Sequence, residues 1–138
     1  KYISYLNSLR RNSKIVIRLN KVGERMDISK VLIVEGSSDR KKVKRIISEP
    51  VEIFCTNGTL GVQKMDEIVE EFFDRDVFVL ADADDAGDRM RSLFKKEFPE
   101  ARHLFIDRAY REVAAAPDQH IASVLLHANI DVHKEFLA

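Results

Sequence analysis

The stretch Val31-Leu32-Ile33-Val34-Glu35-Gly36 decides the fold, because four consecutive apolar residues run directly into an acid and a glycine. An unbroken apolar run of this length is typical of a strand buried on both faces, as in a parallel sheet. A second run of the same kind, Val77–Leu80, is followed by the acidic sequence Asp82-Ala83-Asp84. We therefore expect both strands in the interior of one sheet.

The rest of the chain alternates strands with helices. Further strands are predicted at Val51–Cys55 and His103–Ile106, and a last helix is predicted from Pro117 through Leu126. Apolar residues at helical spacing predict a helix between each pair of strands. This order predicts an α/β fold: a single Rossmann-like domain with a mainly parallel four-stranded sheet and helices on both faces.

The domain is expected to occupy residues 29–138, which include the C-terminal helix. Residues 1–28 are predicted to form an N-terminal helix, over residues 2–12, and a connection of unclear function. Within this segment, Ile15-Val16-Ile17 is also compatible with a strand.

Composition narrows the class of protein. The chain has 138 residues, of which 45% are hydrophobic, and this suits one domain with one core. Cys55 is the sole cysteine, so no internal disulfide is possible and a cytoplasmic location is expected. Neither a membrane-length apolar run nor a signal-peptide pattern is present, so no membrane partner is expected.

The net charge is zero, but the charge is unevenly distributed. Residues 1–45 carry 13 Lys and Arg against 4 Asp and Glu, whereas the remaining residues carry 10 against 19. A basic region suits phosphate backbones and an acidic cluster suits cations, so both kinds of partner are expected.

Carboxylates follow the predicted strands at one edge of the sheet. Ligands of open parallel sheets bind beyond the carboxyl ends of the strands, where Glu35, Asp82 and Asp84 are placed. Mg²⁺ prefers such hard oxygen ligands, and Mn²⁺ can substitute for it. Cys and His residues at zinc-type spacing are absent from the sequence. These three acids are therefore the predicted metal ligands.

Other acids in these loops have a simpler interpretation. Asp39, Asp85 and Asp88 stand where helices are predicted to begin, and an acid there commonly caps the helix or favours its dipole. Glu35 differs from them because it directly follows four buried apolar residues, and this position favours a functional role.

The two motifs resemble the Toprim family, whose pattern is an apolar strand with E-G-x-x-D and a later apolar strand with D-x-D-x-x-G. Glu35-Gly36 with Asp39 matches the first motif, and Asp82, Asp84 and Gly87 match the second. The resemblance covers about residues 28–128. Within the family, the Asn57–Gly58 turn resembles a loop in the Toprim half of the ribosomal RNA maturase. The segment Asp107–Val113 resembles small stand-alone Toprim proteins of Bacillus-type bacteria.

This resemblance implies that Glu35 is a general acid or base and that Asp82 and Asp84 bind magnesium, with Glu35 sharing the metal. The chain departs from the family at Ser37, where nuclease-like relatives often have lysine. The 138 residues contain no match to the zinc-binding and polymerase regions of primases, the tyrosine-bearing domain of topoisomerases or the C-terminal domain of the maturase, so a complete enzyme of these classes is not expected.

A basic run comes after the first motif. Five cations occupy the six positions Arg40–Arg45. A run of this kind is as often a solvated helix face as a phosphate-binding surface, but its position beside Glu35 favours phosphate contact. The predicted nucleic-acid-binding residues are Arg40, Lys41, Lys42, Lys44, Asn57 and Gly58. Tyr110 is compatible with stacking on a base and equally with ordinary packing.

These observations predict a magnesium-dependent nuclease of RNA or DNA. The alternative is a non-catalytic module that binds nucleic acid together with a partner protein. A phospho-signalling receiver or a haloacid-dehalogenase-like phosphatase is disfavoured, because the first strand ends in Glu35 and Asp107-Arg108, rather than a lysine, directly follows the fourth strand.

Overall fold

The chain forms a hairpin followed by an α/β sheet, and the computed structural model describes residues 16–19, 25–58 and 60–137. The hairpin strands are β1 (Val16–Leu19) and β2 (Arg25–Ile28). The sheet strands are β3 (Lys30–Val34), β4 (Val51–Cys55), β5 (Asp76–Leu80) and β6 (Arg102–Leu104). The helices are α1 (Ser37–Ile46), α2 (Val62–Phe72), α3 (Asp85–Glu97) and α4 (Asp118–His127).

The four-stranded sheet is entirely parallel and has the order β4-β3-β5-β6. Lys30 of β3 pairs with Val51 on one side and Asp76 on the other. From β3 the chain therefore passes first to β4 on one side of this strand, and then crosses to β5 on its other side. This reversal creates a topological switch point between β3 and β5, where parallel sheets characteristically bind ligands.

The helices cover both faces of the sheet, as the sequence predicted. In β3, Leu32 and Val34 belong to one core cluster, which includes the buried side chains of α1 and α4. Val31 and Ile33 belong to a second cluster, with the buried side chains of α2 and α3. These four residues of β3 are fully buried because each face of the strand meets a helix layer.

The segment before the sheet agrees with its prediction only in part: β1 includes Val16 and Ile17, which the sequence marked as compatible with a strand. The backbone of β1 pairs antiparallel with β2, with Val16 opposite Ile28. Residues predicted as a connection therefore include part of a strand, since β2 begins at Arg25. The helix predicted at residues 2–12 lies outside the described residues, and the domain boundary at residue 29 stays a prediction.

The last strand is shorter than expected. His103–Ile106 was the predicted span, whereas β6 ends at Leu104. Among the described strands, β6 pairs only with β5, so it is an edge strand of the described sheet. Phe105, directly after it, is 59% exposed. The last helix begins directly after Pro117, close to the prediction. Among the described helices, none combines the length and the apolar character needed to cross a bilayer.

Candidate functional site

The loops after β3 and β5 meet at the switch point through Glu35. Its carboxylate oxygen Oε2 accepts a hydrogen bond of 2.8 Å from the backbone N–H of Asp82. The two residues come from the two Toprim-like motifs, 47 positions apart in sequence. The structure thus brings together two of the three predicted metal ligands.

Asp82 is held in turn by the segment after β6. Its Oδ1 accepts a hydrogen bond of 2.7 Å from the backbone N–H of Val113. The neighbouring N–H of Ala83 donates to the carbonyl oxygen of Arg111 at 2.6 Å. In the sequence, residues 107–113 stood out only through their resemblance to small stand-alone Toprim proteins. In the structure, this segment contacts the acidic loop, which is the loop after β5 that carries Asp82 and Asp84.

Asp84 has a local structural role that the sequence analysis did not assign to it. It is the N-cap of α3, and its Oδ1 accepts a hydrogen bond of 2.8 Å from the N–H of Gly87. Asp85 and Asp88 occupy the first turn of this helix, as predicted. One oxygen of Asp84 is therefore committed to the helix terminus.

Gly87 lies against the backbone of Asp82. A Cβ built at Gly87 would lie 1.9 Å from the carbonyl oxygen of Asp82, far inside van der Waals contact. The glycine of the D-x-D-x-x-G pattern is therefore required so that α3 can approach the loop that carries Asp82.

Arg91 supports the same loop from α3. Its Nη2 donates to the carbonyl oxygen of Asp82 at 2.7 Å, and its Nη1 donates to that of Ala81 at 3.3 Å. The side chain also pairs with Asp88 at 3.2 Å and is only 8% exposed. Sequence reasoning missed Arg91, although a cation one turn after Gly87, on the helix face that is otherwise apolar, was an available signal.

The first motif is fixed by a cap at α1. The N–H of Gly36 donates to Oδ2 of Asp39 at 3.1 Å, which confirms that Asp39 is a helix-start acid. Burial raises the pKa of the Asp39 carboxyl, and Asp82 raises it further, against the opposing effect of the hydrogen bond from Gly36. Asp39 therefore adds to the acidic character of the site.

The electrostatic environment of Glu35 disfavours its charged form. Burial raises the pKa of the Glu35 carboxyl, and nearby Asp82, Asp84 and Asp39 add to the increase. The hydrogen bond from the Asp82 backbone acts in the opposite direction. A carboxyl with a raised pKa is suited to proton transfer and also to neutralisation by a cation.

The Asn57–Gly58 turn lies next to Glu35. The backbone N–H of Asn57 donates to the carbonyl oxygen of Glu35 at 3.0 Å. Asn57 has φ 55° and Gly58 has φ 112°, so the predicted turn is present and places glycine where an L side chain would be strained. Lys64 anchors the turn by donating to the carbonyl oxygen of Thr56 at 3.1 Å.

The basic run forms part of α1. Its five cations form two groups: those that are exposed to solvent and those that contact other segments of the protein. Arg40, Lys41 and Lys44 are exposed on one side of the helix. Arg45 pairs with Asp118 at 2.6 Å. Lys42 points inward, where its ammonium donates to the carbonyl oxygens of Ala114 (3.0 Å) and Ala116. This contact gives Lys42 a structural role, unlike the phosphate contact that the sequence predicted.

Tyr110 packs within the protein. Its ring lies 5.0 Å from that of His120, and the residue contacts the core cluster shared by α1 and α4. Of the two interpretations of Tyr110, the structure shows the packing role.

The site offers carboxylate oxygens to a metal ion. Within the described part of the chain, no three His, Cys, Asp or Glu side chains are already grouped to hold one. Mg²⁺ requires fewer, because it takes one or two carboxylates together with waters and phosphates. Glu35 and Asp82 each use one oxygen for a backbone hydrogen bond, and among the described residues the second oxygen has no such donor. The donor set is therefore compatible with Mg²⁺.

Comparison with known proteins gives the family. No protein-family model matches the chain. A small TOPRIM domain protein from Bacillus stearothermophilus has a solved structure that covers 80% of this chain and 94% of its own, at 54% identity and a TM-score of 0.79. This chain belongs to the small TOPRIM domain proteins. The parallel α/β fold predicted from the sequence is thereby confirmed as the TOPRIM fold.

Other relatives of this TOPRIM protein differ in whether their names state a function. Uncharacterized protein YusF of Bacillus subtilis (strain 168) is 50% identical over 126 residues, which is 91% of this chain and 85% of that protein. Ribonuclease M5 1 of Ligilactobacillus salivarius (strain CECT 5713) is 26% identical over 116 residues, or 83% of this chain. The match spans 58% of that ribonuclease. The TOPRIM protein is thus related, distantly, to part of a nuclease.

Proposed function

We propose that this TOPRIM protein is a magnesium-dependent enzyme that hydrolyses phosphodiester bonds of RNA or DNA. The observation that carries the proposal is the hydrogen bond between Glu35 and the backbone of Asp82 at the switch point. This bond supports the proposal because it joins the loops of both motifs at the edge of the sheet where parallel sheets characteristically bind ligands. The distant similarity to ribonuclease M5 1 supports the nuclease class.

The metal would be held by Glu35 and Asp82 through the oxygens that are free of backbone donors, with Asp84 contributing its second oxygen. When bound, Mg²⁺ or Mn²⁺ supplies positive charge that polarises a phosphoryl oxygen and lowers the pKa of a coordinated water. The charge also offsets the burial and the mutual repulsion of these acids, which together raise the pKa of Glu35.

The side chains around the metal site have separate tasks. Glu35 moves a proton or shares the metal, and its raised pKa in the metal-free protein suits the first of these roles. Arg91 and Gly87 are positioning residues that fix the loop bearing Asp82. The exposed cations Arg40 and Lys41 bind the phosphate backbone, with Lys44 one turn further along α1.

A second candidate function is a nucleic-acid-binding module that acts with a partner protein and has no turnover. The backbone hydrogen bonds of Asp82 and Asp84 favour it, because they explain both acids without chemistry. In this case the basic face of α1 would still contact phosphates, and the acidic loop would serve docking alone.

A cleavage assay separates the two functions. Labelled RNA and DNA strands, single and paired, are incubated with the protein in EDTA, Mg²⁺ or Mn²⁺. We expect metal-dependent cleavage that Glu35→Gln and Asp82→Asn abolish, while Glu67→Gln, an exposed acid on α2, leaves it unchanged. Binding without cleavage of any substrate would support the second function and reject the first.

A further inference from the structure

A cleft beside Glu35 has no assigned role in the chemistry described above. Its volume is about 320 Å³, and it opens between the Asn57–Gly58 turn and α3. Its lining residues are Glu35, Gly58, Leu60, Ala86, Arg89, Met90 and Leu93. The volume lies near the lower end of the range for small-ligand sites, which suits a single nucleotide.

The walls of the cleft combine an apolar surface with one cation. Leu60, Met90 and Leu93 form the apolar part, and the polarisable thioether of methionine adapts to flat ring systems. Arg89 is exposed and makes no ion pair or hydrogen bond with another described residue. A planar guanidinium pairs with phosphate and also stacks on a base.

Glu35 lines the cleft and also belongs to the acidic site. A ligand in the cleft therefore lies next to the carboxylate that accepts the Asp82 N–H. The exposed cations of α1 begin at Arg40, four residues beyond Gly36, so a phosphate chain that passes Glu35 also meets positive charge outside the cleft. Charge and shape together favour a nucleotide that belongs to a strand.

We propose that this cleft binds one unpaired nucleotide of the substrate strand, next to the phosphate at the acidic site. The inference rests on the proposed function and specifies its substrate: nucleic acid with an unpaired or bulged residue. The base contacts the apolar wall, and the guanidinium of Arg89 pairs with the adjoining phosphate. A fully paired duplex must unstack a base before it can fill the cleft, whereas a bulged base is displaced at least cost.

The test uses a short DNA duplex with a single bulged 2-aminopurine, and a paired duplex that carries the same base opposite thymine. Binding is measured in EDTA, so that turnover plays no part. We expect the bulged duplex to bind more tightly by about fivefold or more. We also expect its 2-aminopurine fluorescence to rise on binding, because the base leaves its stacked neighbours.

Two variants and one control locate the effect. Ala86→Trp fills the cleft from an exposed helix position, and Arg89→Gln removes its cation. Each should remove the preference for the bulged duplex while the paired duplex binds nearly as before. Lys95→Gln removes an equally exposed charge from α3 outside the cleft and should keep the preference. Melting curves establish that all three variants fold.

Each outcome of this test has a distinct meaning. Equal binding of both duplexes by the wild type, or a preference that survives both cleft variants, would overturn the cleft assignment and leave the proposed function standing. Absence of salt-dependent binding to either DNA duplex, and to RNA duplexes of the same sequences, would overturn the cleft assignment together with the proposed function. A preference that Ala86→Trp and Arg89→Gln abolish and Lys95→Gln retains would establish the inference.

Discussion

At the scale of single residues, backbone hydrogen bonds rather than side-chain pairs fix the acids of the site. Glu35 accepts from Asp82, Asp82 accepts from Val113, and Asp84 accepts from Gly87. Each bond leaves the negative charge uncompensated, so the acids repel one another in the absence of a cation. Neutral, nearly isosteric substitutions can therefore separate charge from hydrogen bonding.

Glu35→Gln retains a carbonyl oxygen for the Asp82 N–H and removes the charge. Because the pKa of Glu35 is raised above its ordinary value of 4.5, the folded protein holds this proton more tightly than the unfolded chain does. Wild-type stability in EDTA should therefore fall as the pH rises through and above that value. We expect Glu35→Gln to melt at a higher temperature than the wild type at pH 7.

Melting curves of the two proteins in EDTA across a pH series measure this difference. The gap should close as the pH falls below the ordinary carboxyl range. Glu67→Gln, an exposed acid on α2, serves as the control and should match the wild type. A Glu35→Gln protein that is less stable at every pH would mean that Glu35 has a structural role alone.

Gly87→Ala tests the close approach of α3 to the acidic loop. The new Cβ would overlap the Asp82 carbonyl oxygen, so we expect a loss of about 1–3 kcal/mol in the free energy of unfolding. Gly61→Ala is the matched control, since no atom lies within 4 Å of its Cβ position. Because Gly61 is the N-cap of α2, where alanine is less favourable than glycine, urea unfolding should show a loss below about 1 kcal/mol for the control. Equal effects at both positions would contradict the packing argument.

At the scale of secondary-structure elements, continuous apolar runs were sufficient to predict the buried strands. The run at Val31–Val34 is a strand, and Val51–Cys55 has the predicted bounds. The β1–β2 hairpin was not predicted, because short strands of mixed residues lack a distinct period. The contacts of Lys42 and Arg91 were also beyond prediction, since they depend on how distant segments pack.

The two groups of cations on α1 lead to opposite expectations. Lys41→Gln or Lys44→Gln should flatten the salt dependence of nucleic-acid binding, each lost phosphate contact lowering the slope by about one. Lys42→Gln should keep the slope but lower the free energy of unfolding by about 1–3 kcal/mol, because two carbonyl oxygens lose their donor. Binding isotherms at several salt concentrations, with urea unfolding, measure both. A Lys42→Gln protein with normal stability and a lower slope would reverse the assignment.

At the scale of the whole molecule, the parallel sheet assembles one acidic site from distant parts of the chain. The loops after β3 and β5 carry the two motifs, and the segment after β6 supplies Val113 and Arg111 to hold them. The fold and the pairing of Glu35 with Asp82 were predictable from the motifs. The support from Arg91 and the segment after β6 was not, because it depends on tertiary contacts that no motif describes.

Metal should stabilise this assembled site. If the Kd is about 1 mM, then about 10 mM Mn²⁺ adds roughly 1.4 kcal/mol to the free energy of unfolding. The melting temperature should rise by a few degrees. Asp82→Asn keeps an oxygen for the Val113 N–H, so we expect it to be as stable as the wild type in EDTA and to gain nothing from Mn²⁺. An Asp82→Asn protein destabilised in EDTA by more than about 1 kcal/mol would show that the acid is chiefly structural.

The location of the metal is the central claim, and paramagnetic broadening by Mn²⁺ in an amide NMR spectrum tests it most directly. Substoichiometric Mn²⁺ is added to the wild type and to Asp82→Asn. The amides of Gly36, Asp82 and Ala83 should broaden first in the wild type, because they adjoin the proposed ligands Glu35 and Asp82, and the corresponding amides should stay sharp in the variant. Broadening that begins elsewhere, or that is the same in both proteins, would contradict a metal site at the junction of β3 and β5.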